Sequence, residues 1–233
     1  MARHTKLARR RPISLKPRIA LWSLLAFLVA GPFAPSSQAA DTLSPEVRRL
    51  QTKWEAIKFG IPEGAEQTKQ MDALGEEADA VAGHFPGQPE ALIWDGIITS
   101  ERASMASAFS ALGLAKRARD ILEQAYRLDP AKLDAGATTS LGVLYYRVPG
   151  FPVGFGDKAK ARELLEQAVK LAPNGLDAWY FYGDFLYTQN EYAKAVEAFQ
   201  HALKIPQHPD RPLWDKNRRL VIEELLAKIQ EKK

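Results

Sequence analysis

Few residues of this sequence have the types and spacing that chemistry requires. Three histidines follow residue 40, and no two of them have the four-residue separation that would place both on one helix face for a metal; they are His84, His201 and His208. The chain has no Gly-x-Ser-x-Gly turn for a nucleophilic serine and no cysteine. We therefore expect no metal site, no cofactor and no catalytic residue, and we predict that the protein is not an enzyme.

The least ordinary composition lies in a stretch rich in glycine, proline and phenylalanine at residues 147–156. Its two phenylalanines, Phe151 and Phe155, are candidates for ligand contact if the stretch forms a loop over a binding groove. The alternative is that both rings plug the end of a helix pair, while the glycines permit turns that other residues resist. Loops that carry two phenylalanines usually bury them, which favours the second interpretation.

Charge is distributed unevenly along the chain. Residues 1–39 hold seven of the 32 basic residues and none of the 28 acidic ones, and they contain an apolar run followed by small residues. This order is typical of a secretory signal cleaved after Ala39, which predicts a periplasmic protein. An uncleaved inner-membrane anchor is the alternative, although the run is shorter than the roughly 20 residues a spanning helix needs. The exported part has 25 basic and 28 acidic residues, a net charge of −3 with mixed signs, which disfavours nucleic acid as a partner.

Self-similarity with a period of 34 residues dominates the rest of the sequence. Three apolar positions recur at that spacing: Ala161, Leu165 and Ala168, then Ala195, Phe199 and Ala202. Small residues such as Gly183 let two antiparallel helices cross closely, while rings such as Trp179 and Tyr182 fill the seam beside them. This pattern resembles the tetratricopeptide repeat, which implies an all-α fold, a short solenoid of antiparallel helix pairs.

The repeat pattern divides the exported chain into three parts. Residues 41–85 are predicted to form a degenerate N-terminal helix pair, residues 86–209 the tetratricopeptide repeats, and residues 210–233 a C-terminal capping helix. The repeats near residues 90–130 and 134–173 are longer than 34 residues. We ascribe the extra length to material inserted between their paired helices, and the second insertion is the Gly/Pro/Phe stretch.

A more specific resemblance lies in the second half of the sequence. It rests on YYRVPGFP at residues 145–152, GDK at 156–158 and FYGDFL at 181–186. In these segments the chain is similar to exported proteobacterial TatT-like tetratricopeptide proteins associated with TRAP transporters. The resemblance implies an all-helical protein beside a periplasmic solute-binding protein, delivering small organic ligands to a membrane importer. The chain lacks the lipoprotein cysteine that some of those proteins carry.

The first helices of tetratricopeptide pairs line the concave face of the solenoid, so their register identifies candidate binding residues. The candidates on this face are Ile93, Ile97, Thr139, Val143, Tyr146, Tyr180, Asp184 and Tyr187. Aromatic rings at such positions can anchor an extended peptide, a partner helix or an apolar small molecule. The alternative is that this face packs against the terminal helices of the same chain, since exposed apolar surface is seldom left uncovered.

Together these observations predict a non-catalytic periplasmic module that binds a protein partner or a small organic ligand. The resemblance implies a solute-binding protein as the partner and delivery to a TRAP-type transporter as the role. The alternative function is a structural scaffold or assembly factor in the cell envelope, with a filled groove and contacts through an outer edge. Membrane contact is expected only through an uncleaved signal.

Overall fold

The chain is described from residue 43 to residue 232 in a computed structural model. In this range it forms the helices α1 (Pro45–Gly60), α2 (Ala65–His84), α3 (Pro89–Met105), α4 (Ala108–Leu128), α5 (Lys132–Arg147), α6 (Lys158–Leu171), α7 (Leu176–Thr188), α8 (Tyr192–Lys204) and α9 (Pro212–Gln230). No strand occurs in the described range, where Gly150 and Gly156 form an isolated bridge. The predicted signal peptide at residues 1–39 lies outside the described residues.

Consecutive helices pack as four pairs, and α9 packs against the last of them. Each of α1, α3 and α5 also contacts the first helix of the following pair. Such stacking of helix pairs on their neighbours is the arrangement of a solenoid. The predicted all-α fold of helix pairs with a C-terminal capping helix is therefore confirmed.

Polar side chains fix the starts of two helices. Ser44 Oγ accepts a hydrogen bond from the backbone N–H of Val47 at 3.3 Å, and proline follows at the first position of α1. Asp157 Oδ1 accepts from the backbone N–H groups of Ala159 and Lys160 at 2.9 and 3.0 Å. These acceptors satisfy donors that a helix N-terminus leaves without an internal partner.

Three helix pairs cross at a glycine beneath a large side chain. A Cβ atom on Gly96 would lie 2.5 Å from Cγ of Leu122, one on Gly142 2.6 Å from Cγ of Leu165, and one on Gly183 2.6 Å from the ring of Phe199. No side chain larger than hydrogen fits at these positions without moving its neighbour. The predicted role of Gly183 at the helix crossing is thus general to three of the four pairs.

The explanation for the long repeat near residues 90–130 was wrong. Only Ala106 and Ser107 separate α3 from α4, so no insertion lies between them. The extra length is in the helices themselves, which have 17 and 21 residues against 13 each for α7 and α8. In the next pair an insertion does separate α5 from α6, at residues 148–157.

The last helix reaches back to the first. Arg211, which directly precedes α9, places Nε 2.5 Å from Oε1 of Glu55 on α1. Its guanidinium also lies 4.0 Å from the ring of Trp214 on α9 and 5.7 Å from that of Trp94 on α3. The two terminal helices of the described chain therefore meet on the side formed by the first helices. Within residues 43–232, every helix is too short or too polar to cross a membrane.

Candidate functional site

The predicted concave-face residues of α3 and α5 lie mostly inside the protein. Ile93 and Thr139 are buried, and Cγ2 of Ile93 lies 3.0 Å from where a Cβ on Gly136 would be. Ile97 and Val143 are half-buried. A partner could reach Ile97 and Val143 only in part. It could not reach Ile93 and Thr139 while the helices stay packed.

Tyr146 and Asp184 belong to one hydrogen-bonded group. The Tyr146 hydroxyl donates to Asp184 Oδ2, and Nη2 of Arg147 lies 2.9 Å from the same oxygen. Burial raises the pKa of the Tyr146 hydroxyl well above its usual value. Arg147 therefore neutralises the Asp184 carboxylate at this point of the concave face.

Helix α9 covers the predicted binding residue Tyr180. The Arg218 guanidinium lies 4.0 Å from the Tyr180 ring centroid, and its Nε donates to Asp177 Oδ1 at 2.6 Å. Nε1 of Trp214 donates to the other carboxylate oxygen of Asp177 at 3.1 Å. For Tyr180, the structure thus shows the intramolecular alternative, in which a terminal helix of the same chain packs on the face.

Tyr187, at the other end of α7, also contacts the C-terminal region. The Lys232 ammonium lies 4.9 Å from the Tyr187 ring and 5.0 Å from the Tyr192 ring, and it donates to the Tyr192 hydroxyl. Helix α9 therefore contacts α7 near its start, and Lys232, which follows α9, contacts it near its end. Whether any concave-face residue binds a partner stays a prediction.

The two phenylalanines of the inserted loop have different environments. Phe155 packs edge-on against Tyr145, with ring centroids 5.6 Å apart, and the Arg119 guanidinium lies 4.7 Å from its ring. Phe151, in contrast, is 93% exposed. The favoured interpretation, in which both rings are buried, therefore fits Phe155 only in part, since this ring is half-buried, and is wrong for Phe151.

Backbone contacts give this loop a defined form. The N–H of Gly156 donates to the carbonyl of Pro149 at 2.9 Å, and that of Asp157 donates to the carbonyl of Tyr145 at 2.8 Å. A Cβ on Gly156 would collide with the backbone of Val148, so only glycine allows the two arms of the loop to approach this closely. The loop thus presents Phe151 from a fixed base.

A second bare phenylalanine lies near the loop. Phe109, in the first turn of α4, is 99% exposed, and Val153 in the loop is 65% exposed. The loop and the first turn of α4 lie next to each other. A Cβ on Gly154 would be 3.4 Å from Cδ1 of Leu112, which is one turn after Phe109. We call Phe109, Phe151 and Val153 the exposed aromatic patch.

Sequence reasoning overlooked Phe109, although helical phase could have found it. The buried face of α4 is formed by Ala115, Ala118, Leu122 and Ala125. Phe109 precedes Ala115 by six residues, which at 3.6 residues per turn places it about 120° away around the helix. An aromatic residue on the outer face of an amphipathic helix is the signal that was available.

An open cleft of about 680 Å³ lies between α2 and α4, with Asp95 of α3 at its floor. Asp95 is buried, and Thr99 Oγ1 donates to it at 3.4 Å. Burial, together with the neighbouring Asp79, raises the pKa of the Asp95 carboxyl to about 7. Arg117 bridges to Asp79 above it. Sequence reasoning did not predict this cleft.

Groups of three or more metal-ligating side chains are absent from residues 43–232. The expectations that the chain has no metal site and no cofactor stay predictions, because the geometry does not test ligand binding. The acids that face one another, Asp79 and Asp95, are balanced by Arg117 rather than arranged around an open coordination position. The cleft therefore combines apolar walls, which include Leu92 and Ile121, with this group of paired charges.

Residues 153–212 match the tetratricopeptide repeat. This segment runs from the inserted loop to the start of α9 and contains the α7–α8 pair from which the repeat was recognised. The described chain is therefore a short tetratricopeptide-type solenoid with a capping helix. Domains of this type generally mediate protein–protein interaction and are generally non-catalytic.

One solved structure agrees with this fold. The chain is similar to TTC0263, a thermophilic TPR protein of Thermus thermophilus, with 16% identity, a TM-score of 0.54, and coverage of 78% of this chain and 91% of that one. It is also similar to MamA of Desulfovibrio magneticus, with 18% identity, a TM-score of 0.43, and coverage of 82% and 96%. No curated protein matches the sequence. At 16% identity the likeness to TTC0263 concerns the fold alone.

Proposed function

We propose that this protein is a non-catalytic module of the periplasm that binds a protein partner through the exposed aromatic patch. The observation that carries the proposal is the near-complete exposure of Phe109 and Phe151 on two adjoining segments. Exposed large apolar groups that lie together mark interaction sites more often than isolated ones do. Phenylalanine rings can also fill pockets on a partner with little loss of side-chain freedom.

The surroundings of the patch suit a protein partner. Small residues flank both rings, with Ser107, Ala108 and Ser110 beside Phe109 and Gly150 beside Phe151. A partner surface can approach the backbone closely at such residues. Beneath the patch, Phe155 and Leu112 hold the loop against α4. A rigid base reduces the ordering cost of binding.

Coverage of part of the concave face by the C-terminal region favours contact through an edge of the solenoid. Tyr180 and Tyr187 already contact α9 or the residues after it, so an apolar small molecule would have to compete with the chain itself. This observation favours the scaffold or assembly-factor role in the cell envelope over capture of a small organic ligand. Delivery of solute to a TRAP-type transporter is supported only by the resemblance of the segments around residues 145–186, and it is the second candidate.

The patch is tested by cross-linking the exported chain in periplasmic extract and identifying the captured proteins by mass spectrometry. We expect the Phe109→Ser, Phe151→Ser double variant to capture the partner less well by about tenfold or more, because two aromatic anchors are lost. Leu128→Ser is the matched control, since Leu128 is also exposed but lies at the far end of α4. Equal capture by all three chains contradicts a role for the patch.

The identity of the captured protein separates the two roles. An envelope-assembly protein supports the scaffold, and a solute-binding protein supports delivery to a transporter. Fractionation of the producing cells tests the location. A chain found in the cytoplasm with residues 1–39 still attached contradicts export.

A further inference from the structure

The floor of the cleft between α2 and α4 is a buried carboxyl group. Asp95 lines the cleft and is only 4% exposed. The Thr99 hydroxyl donates to Asp95 Oδ1 at 3.4 Å, which is long for such a hydrogen bond, so the contact is weak. Buried carboxylates are normally held by close partners of opposite charge. The floor of the cleft is thus an acceptor that its own chain satisfies poorly.

Arg117 forms its ion pair with only one of the two acids that face each other here, Asp79. Lys116 also lines the cleft, but it is exposed to solvent. Burial and the neighbouring Asp79 raise the pKa of the Asp95 carboxyl to about 7, and Arg117 opposes this rise. Near neutral pH a proton therefore neutralises part of the Asp95 population, and a cation in the cleft can take the place of that proton.

Apolar side chains and small residues shape the space beside Asp95. Leu92 of α3 and Ile121 of α4 line the cleft. Gly83 and Gly113 also line it, and a Cβ on either would meet no atom within 4 Å. The volume of about 680 Å³ lies within the range of roughly 300–1,000 Å³ that is usual for small-molecule sites. The cleft therefore offers an acid at its floor, apolar walls and room for a small ligand.

We propose that this cleft binds a small organic ammonium ion. The nitrogen donates to the Asp95 carboxylate, and the apolar body of the ligand packs against Leu92 and Ile121. An ammonium group has several N–H donors, so it can serve Asp79 as well as Asp95. The cleft lies between the second helices of two pairs, and no residue of the exposed aromatic patch lines it. The site is therefore distinct from both the concave face and the patch.

A divalent metal ion suits this cleft less well than an organic cation does. Calcium usually takes about six to eight oxygen ligands, and the two facing carboxylates supply too few. The Arg117 guanidinium beside Asp79 also repels a doubly charged ion. A hydrated metal ion would leave Leu92 and Ile121 uncovered, whereas the hydrocarbon part of an amine removes them from water.

The test is an NMR titration of the exported, ¹⁵N-labelled chain with benzylamine and with benzyl alcohol at pH 7.5. The two probes share an aromatic ring, but only benzylamine carries a positive charge at this pH. We expect benzylamine to bind about tenfold more tightly, because only its ammonium pairs with the Asp95 carboxylate. The largest amide shifts should lie at Gly83, Asp95 and Gly113. Equal binding of the two probes, or binding of neither, overturns the proposal.

Competition with the proton gives a second readout. For a pKa of about 7, the ionised fraction of Asp95 rises roughly tenfold between pH 6 and pH 8, so the Kd of benzylamine should fall by about that factor. The charged groups that act on Asp95 are Asp79 from α2 and Arg117 from α4. Benzyl alcohol should show no such dependence. A benzylamine Kd that does not change with pH also overturns the proposal.

Variants assign the binding to this cleft. Asp95→Asn removes the charge at the floor and should weaken benzylamine binding about tenfold. Asp72→Asn is the matched control, because it removes an acid from α2 outside the cleft and should change the Kd less than about twofold. Benzylamine binding by Asp95→Asn as tight as by the unmodified chain contradicts the proposal.

A third variant keeps every charge and fills the space instead. Gly113→Leu places a side chain where a Cβ meets no atom, so the chain should fold normally, as its amide spectrum would show, and should no longer bind benzylamine. This variant decides the question by itself if Asp95→Asn does not fold. Unchanged benzylamine binding by the folded Gly113→Leu chain places the amine elsewhere and overturns the proposal.

Discussion

The α3–α4 and α7–α8 pairs share one way of crossing and differ in nearly everything around it. In each, a glycine of the first helix lies beneath a large residue of the second, Gly96 under Leu122 and Gly183 under Phe199. Around the crossing, α7 presents aromatic and acidic side chains that α9 covers. The α3–α4 pair instead has a buried acid beside an open cleft and a bare aromatic ring at the start of α4. The crossing determines the fold, and its surroundings determine which surface is free.

The largest effect is expected from filling a crossing. Gly183→Leu should lower the free energy of unfolding by about 3 kcal/mol, because the new side chain must displace the Phe199 ring. Gly96→Leu should cost a similar amount by displacing Leu122, if the two crossings are equivalent. Chemical denaturation of both variants measures the loss. An unchanged midpoint for either one would show that its pair does not depend on the glycine.

The second prediction concerns how stability depends on pH, which should differ between the two pairs. Of the two, only the α3–α4 pair buries an acid beside its crossing, Asp95 next to Gly96. The pKa of Asp95 is about 7 in the folded chain, above the value near 4 of an unfolded aspartate. The folded state therefore binds a proton that the unfolded state releases. The contribution of the Asp95 carboxyl to the free energy of unfolding is therefore fully present below about pH 4. It is lost as the pH rises to about 7.

Asp95→Asn should remove this decline. We expect unfolding free energies measured at pH 4.5 and pH 7.5 to differ less in the variant than in the unmodified chain, by on the order of 2 kcal/mol. Asp120→Asn is the control, because it removes the same charge from an exposed position lining the same cleft. If both variants keep the full decline, Asp95 is not its source.

The smallest expected effect is a gain in the free energy of unfolding. Gly113 lies within α4 on the wall of the cleft, and a Cβ there would meet no atom within 4 Å. Gly113→Ala should stabilise the chain by about 0.5–1 kcal/mol, because alanine loses less backbone freedom in a helix. Gly96→Ala in the same pair should destabilise it, as Cβ would meet Leu122. Thermal melts showing the same sign for both changes would contradict the packing described for this pair.

Much of the fold was readable because the signals were local and periodic. The spacing of Gly183, Ala195 and Phe199 predicted the crossing of the last pair, and the same logic extends to Gly142 and Gly96 in earlier pairs. The position of the inserted loop also followed from its turn residues and from repeat length. The error about the α3–α4 connection arose because sequence length alone does not distinguish a longer helix from a longer loop.

The candidate sites were less readable because they depend on distant parts of the chain. Phe151 and Phe155 belong to one short loop, yet contact with Tyr145 and Arg119 covers part of the second ring and leaves the first exposed. Register placed Tyr180 on the inner face, but the capping helix that covers it lies almost forty residues away in sequence. Exposure is a property of the folded surface, and neither residue type nor spacing specifies it.

The sequence by itself determined the helix pairs, since the apolar period and the small residues at the crossings are physical requirements of packing two helices together. Only the tertiary structure decided that α9 lies on α7, that Arg211 reaches Glu55 on the first helix, and that Phe109 and Phe151 remain uncovered. Those outcomes depend on contacts between segments that are distant in sequence, and no local pattern encodes them.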